Sequence, residues 1–235
     1  MKTRILLFFL SVGTLIGNAQ SFSPAFESFS GGKVSYVNLV DGTKLEGTID
    51  DLDRKKGLIE EITLVDASGK KYKLKPEQIR DMYLPPSNFA RFNEVSDMAG
   101  EASRWGNGSV NKDIVSQGYA YFENSKVFVK KDERVMMVQL INPASSGNIR
   151  VYSDPFAKET AGIGFAGVNV VGGDDKSYYV KVGDKTAFRL YKKDYEDEFK
   201  NIFAGCQPVL DAFGKDIVWT QFAKAVAMYS KECEK

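Results

Sequence analysis

Between residues 33 and 84, apolar and polar positions alternate in short runs divided by turn signals. Val37 and Leu39 precede Asp41-Gly42, and Leu45, Gly47 and Ile49 follow it. That spacing predicts a tight hairpin, because both central residues of such a turn need positive φ. Residues 58–66 and 70–75 repeat the pattern around Ala67-Ser68-Gly69, with Tyr72 and Leu74 on one face. Pro76-Glu77-Gln78 breaks the alternation for one helical turn, and residues 79–84 close it. Five strands with a helical turn before the last describe a small, partly open barrel. Its first and last strands, 34–40 and 79–84, would be its edges, open to another chain unless a later element covers them.

Pro85-Pro86 marks a module boundary. Beyond it, Phe89, Phe92, Val95, Ala99 and Ala102 recur at spacings of three and four, predicting a linking helix over residues 87–105. Strand signals return over 116–191. Runs at 118–123, 126–131, 134–141 and 148–153 are divided at Asn124-Ser125, Asp132-Glu133 and residues 143–147, and a last hairpin turns at Gly183-Asp184. Turns this short leave no room for crossover helices, so the region predicts a meandering antiparallel sheet. Over 193–233 the spacing is helical again. Tyr195, Phe199, Ile202, Phe203 and Cys206 form one stripe; Val218, Phe222, Val226, Tyr229 and Cys233 form another. Neither is long enough for a free coiled coil, and both suit packing on the preceding sheet.

Within the first region, Val37-x-Leu39, Asp41-Gly42, Leu45, Gly47, Ile49 and Leu52-Asp53 follow the order of the first Sm motif, and Ile79-Arg80 falls where the second has Ile-Arg-Gly. Residues 33–84 thus resemble the Sm-like and SH3-like barrels. The resemblance implies that fold for this stretch. It does not extend to RNA binding: Arg54-Lys55-Lys56 stands where the Sm pattern has Asn, and Asp81 where it has Gly. The sheet followed by two helices, each with a Cys, is similar to bacterial secreted proteins of unassigned function, a resemblance that supplies no active site. The expected fold class is α+β: an N-terminal SH3/Sm-like β-barrel, a linking helix, an antiparallel β-module over 116–191 and a C-terminal helical pair over 193–233.

Residues 1–19 read as a cleavable signal peptide. Lys2 and Arg4 give the positive start, residues 5–10 the apolar core, and Gly17-Asn18-Ala19 the small-residue cleavage site. The apolar run is too short for a membrane span. The expectation is therefore a secreted or periplasmic chain, with no integral membrane span after the signal is removed.

Composition then changes the chemistry more than the fold. The full chain of 235 residues has 32 basic and 31 acidic residues, and loss of Lys2 and Arg4 leaves 30 against 31. A near-neutral chain gains nothing overall from phosphate backbones, so no nucleic-acid partner is expected. The chain has no histidine. Ser-His-Asp and Cys-His nucleophiles, His-ligated zinc and HExxH sites are therefore excluded, leaving carboxylate pairs, Lys or Tyr bases and all-oxygen metal sites.

No cofactor or metal is expected from the motifs that invite one. Gly162-Ile163-Gly164-Phe165-Ala166-Gly167 matches G-x-G-x-x-G, but β-rich and turn-rich sequence follows where a helix should open. Asp50, Asp51 and Asp53, with Glu60 and Glu61, suggest calcium, yet the loop position that must be Gly is Lys56, so a solvated turn is the better account. Tyr119 and Tyr121 share one face and Tyr178 lies on another strand; they form a possible binding platform for a sugar ring, although alternation of this kind favours core packing.

Two cysteines in a secreted chain favour a Cys206–Cys233 disulfide, worth about 3.5 kcal/mol in the chain-entropy model. Both lie near the ends of their helices, so residues 207–214 must carry the chain back first. Together these readings give a non-enzymatic interaction module of the bacterial cell envelope with an envelope protein partner. A glycan- or small-ligand-binding protein using exposed tyrosines is the alternative, and an enzyme built on carboxylates comes third.

Overall fold

The computed structural model describes residues 21–87, 110–157 and 176–234. The expected signal segment, the linking helix from residue 88 onward and the Gly-rich loop at 162–167 lie outside the described residues. Strands β1 (Val34–Leu39), β2 (Lys44–Lys55), β3 (Leu58–Val65), β4 (Lys71–Leu74) and β5 (Ile79–Leu84) come first, with a 3-10 turn at Pro76–Gln78. A short helix α1 (Lys112–Ser116) precedes β6 (Ala120–Val129), β7 (Asp132–Leu140), β8 (Ile149–Ser153), β9 (Ser177–Val182) and β10 (Phe188–Tyr191). The chain ends in α2 (Tyr195–Ile202), α3 (Gln207–Phe213) and α4 (Phe222–Cys233).

All ten strands belong to one open sheet, ordered β10-β9-β8-β7-β6-β5-β1-β2-β3-β4. This corrects the expected architecture: among the described residues the SH3/Sm-like barrel and the second β-module are not separate units but parts of one sheet. The overturning contact is the antiparallel β5–β6 ladder, from Asp81↔Glu123 to Leu84↔Ala120. Its physical reason lies in β5 itself. Met82, Tyr83 and Leu84 are all buried, so both faces of the strand are covered, as a central strand requires and a half-solvated one does not. The expected edges are corrected with it. β1 lies between β2 and β5, and β5 between β1 and β6; the ends of the sheet are β4 and β10.

Several local expectations also move. Asn124-Ser125 does not turn the chain, because Asn124 Nδ2 donates to the carbonyls of Pro76 and Ile79 at 2.6 Å each, and β6 runs straight through. The β6–β7 turn falls at Lys130-Lys131, with Lys130 at φ 60°, and Asp132 and Glu133 join the ladder. Asp51 and Asp53 are likewise in β2, paired with Thr63 and Glu61, and the turn follows at Lys56-Gly57. The C-terminal pair contains a third helix, α3, in the stretch that had to return the chain. That return brings Cys206 to Cys233, which form a disulfide with Cα atoms 5.8 Å apart.

The lead-in before β1, which looks loose in sequence, is a strap fixed across the sheet. Ser23 N donates to Ile141 O at 2.7 Å, and the Gln139 side chain holds the strap at both ends of its amide. It accepts from Phe26 N and donates to Pro24 O, each at 2.8 Å. Phe22 packs edge-on against Tyr178 and Phe222, while Phe29 packs against Phe122. One face of the sheet is covered by this strap and the curl of β1–β5, around Val37, Ile62, Leu64, Ile79, Met82 and Leu84. Farther along, the three C-terminal helices cover Ile149, Val151, Val180 and Leu190 with Phe199, Phe203 and Phe222.

Candidate functional site

Cross-strand register places Tyr36, Tyr83, Tyr121, Leu140, Tyr152, Tyr179 and Arg189 opposite one another in one row across seven strands. Sequence alone gives the face of each tyrosine within its strand but not the row, which depends on the register between strands. Tyr119 and Tyr121 belong to this side: Tyr119 is half-buried near Tyr36, with ring centroids 5.8 Å apart, and Tyr121 is buried against Tyr83. Tyr178 does not join them. It neighbours Tyr179 in an alternating strand, so it faces the helices, stacked on Trp219 at 5.2 Å.

Beside the row sits a buried ion pair. The side chains of Glu123 and Arg150 are 12% and 16% exposed. Arg150 Nη1 donates to both Glu123 oxygens, Tyr152 Oη to Oε1 at 2.6 Å, and Tyr121 Oη to Oε2 at 3.2 Å. Burial pulls the Arg150 guanidinium down from its ordinary value, and the adjacent Glu123 carboxylate overturns that effect, so its pKa is raised. Burial likewise pushes the phenols of Tyr121 and Tyr152 up, with the Glu123 charge acting in the same direction. A proton-transfer role would need a group poised near working pH. This arrangement instead keeps the guanidinium charged and the two phenols neutral.

A second buried carboxylate, Asp154, is also saturated. Its side chain accepts from Ser177 Oγ at 2.6 Å, from Phe156 N at 2.9 Å and from Arg189 Nε. Tyr179 lies close to this group, its hydroxyl buried without a partner. Burial raises its pKa to about 12, with the Asp154 charge adding to the effect.

The third charge differs. Arg54 is the penultimate residue of β2, opposite Ile59, and a cavity of about 310 Å³ opens beside it between the strap, the β2–β3 turn and the loop after β8. Phe26, Leu58, Ile59, Phe122 and Met137 supply apolar wall, and Gln139, Glu27 and the Arg189-paired Asp154 supply polar groups. The rim is held where Gly57, at φ 81°, meets Pro155; a Cβ there would come within 2.8 Å of the Pro155 carbonyl oxygen. Arg54 donates from Nη1 to Glu27 O at 2.7 Å and to Phe26 O at 3.3 Å, and from Nη2 to Gly57 O at 3.0 Å. Its Nε is buried with no hydrogen-bond partner, and its guanidinium lies over the Phe29 ring, 6.0 Å from the centroid. Burial lowers its pKa, opposed by the charge of Glu27.

Sequence reading passed over Arg54, placing it in a run of three basic residues. The signal available was its place at the end of an alternating strand; the strap that meets it could not be seen. Among the described residues no group of three or more Cys, Asp or Glu could hold a metal ion, and no helix is long and apolar enough to cross a membrane. Compared with known proteins, the chain matches no family model, and neither a curated protein nor a solved structure matches it significantly.

Proposed function

We propose that the chain is a non-enzymatic interaction module of the bacterial cell envelope, and that it works by taking a small ligand into the cavity beside Arg54. The single observation that carries this reading is the cavity itself. Its volume of about 310 Å³ sits at the lower end of the range of small-molecule sites, and it has their composition: an apolar wall with a few polar groups. It also lies where three separate parts of the chain meet, so a ligand there touches the strap and both halves of the sheet. The tyrosines are a poorer ligand platform, because Tyr121 is buried and Tyr178 belongs to the helix-facing core.

The envelope location rests on the signal-like residues 1–19, and the Cys206–Cys233 disulfide is compatible with an extracytoplasmic compartment. Mass spectrometry of the exported protein should find a chain beginning at Gln20. The binding reading is tested with N-phenylnaphthylamine, a neutral apolar fluorophore. Saturable fluorescence enhancement is expected with the native protein and not with Leu58→Trp, which fills the cavity from the half-buried start of β3. Enhancement that is unchanged in a folded Leu58→Trp variant would place binding elsewhere and defeat the reading.

A further inference from the structure

Three buried or partly buried charges line up for comparison. Glu123 is neutralised by Arg150 and two phenols, and Asp154 by Arg189, a hydroxyl and a backbone N–H. Arg54 donates its hydrogen bonds to carbonyl oxygens and lies over the Phe29 ring at 6.0 Å; the Glu27 charge acts on it, but no carboxylate reaches it at ion-pair distance among the described residues. Charges removed from water are ordinarily paired, because desolvation is otherwise uncompensated. Arg54 is the exception, and it lines the cavity.

We infer that the cavity receives a monocarboxylate carried on an apolar body, the carboxylate accepting from Arg54 and the body lying against Leu58, Ile59, Phe122 and Met137. This rests on the ligand-binding reading of the same cavity and names the ligand class. A guanidinium has five N–H donors. Three contacts to the carbonyls of Phe26, Glu27 and Gly57 commit three of them, leaving the Nε–H and a second Nη2–H. Two remaining donors on a planar fork match one carboxylate, which accepts in pairs from arginine. A phosphate dianion fits less well: it asks for more donors than remain, and its second charge adds to the repulsion from Glu27 and Asp154 on the cavity wall, which a monoanion meets once. A neutral apolar molecule would fill the wall but leave the guanidinium uncompensated. The carbonyls hold the guanidinium in place before a ligand arrives, so little side-chain entropy is lost on binding.

The experiment compares decanoate, decanol and decyltrimethylammonium, each below its micellar concentration, by calorimetry on the full folded protein. Decanoate should bind at least about tenfold more tightly than decanol, as a charge-assisted hydrogen bond implies, and the cationic amphiphile should be excluded. In Arg54→Gln the preference for decanoate over decanol should disappear. Arg54 also anchors the strap, so circular dichroism and a melting curve are recorded for that variant. If it fails to fold, the ranking of the three ligands on native protein decides the matter alone. Equal binding of decanoate and decanol would overturn the carboxylate assignment while leaving the cavity a ligand site. The same holds if N-phenylnaphthylamine binds and decanoate does not. Absence of binding by all three together with N-phenylnaphthylamine would overturn both readings.

Discussion

The two halves of the sheet solve one problem, covering an apolar face, in different ways. In β1–β5 the strands pack around an aliphatic core, Ile62, Leu64, Leu74 and Ile79, which the thin strap closes together with Phe122 and Met137 from β6 and β7. In β8–β10 the chain folds back until Ala187, just before β10, bridges Val127 of β6, and the other face is covered by α2–α4, whose Phe199, Phe203, Phe222 and Trp219 form an aromatic layer locked by the disulfide. The first solution depends on neighbours close in sequence, through hairpins of short span. The second depends on a distant segment folding back. The cavity lies between the two, where neither cover extends fully, and that is why an incompletely paired charge can persist at Arg54.

The sharpest way to break this comparison is to cut one core at a time. Phe199→Ala should cost about 3–5 kcal/mol and Ile62→Ala about 2–5 kcal/mol. Because the β5–β6 ladder makes one sheet of the two halves, both variants should shift a single denaturation transition followed by circular dichroism. Two separate transitions, each moved by only one variant, would show the halves to be independent.

Next in size is the disulfide. Cys206→Ala with Cys233→Ala should lower stability by about 3.5 kcal/mol, less whatever the denatured state retains. Hydrogen exchange should locate the loss in α2–α4 and leave β1–β4 protected; uniform loss would mean that the helices support both halves equally.

A smaller effect is expected where the halves are strapped together. Gln139→Ala removes the amide that accepts from Phe26 N and donates to Pro24 O, at a cost of about 1–3 kcal/mol. Protease sensitivity should appear within residues 21–31 before the sheet unfolds. An unchanged digestion pattern would show that Phe22, Phe26 and Phe29 hold the strap without it.

The smallest effect is confined to the second half and to alkaline pH. Tyr179 titrates near 12 in the folded protein, above its unfolded value of about 10. Its contribution is present below the unfolded value and is lost as pH rises through about 10 toward 12, because the unfolded chain gives up the phenolic proton first. Tyr121 and Tyr152, also pushed up, add to the same limb, so Tyr179→Phe should make it shallower without removing it, with the loss of one phenol from the phenolate absorbance titration. An unchanged slope in the variant would show that Tyr179 contributes nothing to it.

Local pattern alone determined a good deal of this protein. The hairpins around Asp41-Gly42 and Ala67-Ser68-Gly69, the β9–β10 turn, the apolar stripes of the last helices and the pairing of Cys206 with Cys233 were all legible. Each depends on residues close together, or on a pair with no other partner to choose. Met82-Tyr83-Leu84 also carried a readable sign, since an apolar run inside an alternating strand asks for cover on both faces. What supplied that cover could not be read. The joining of β5 to β6, the row of tyrosines and the isolation of Arg54 depend on pairings between segments far apart in the chain. Alternation specifies which face of a strand is buried, but several partners satisfy it equally. The choice among them is made by long-range packing, so only the tertiary structure decided where the strap crosses, which charges find counter-charges and where a cavity is left.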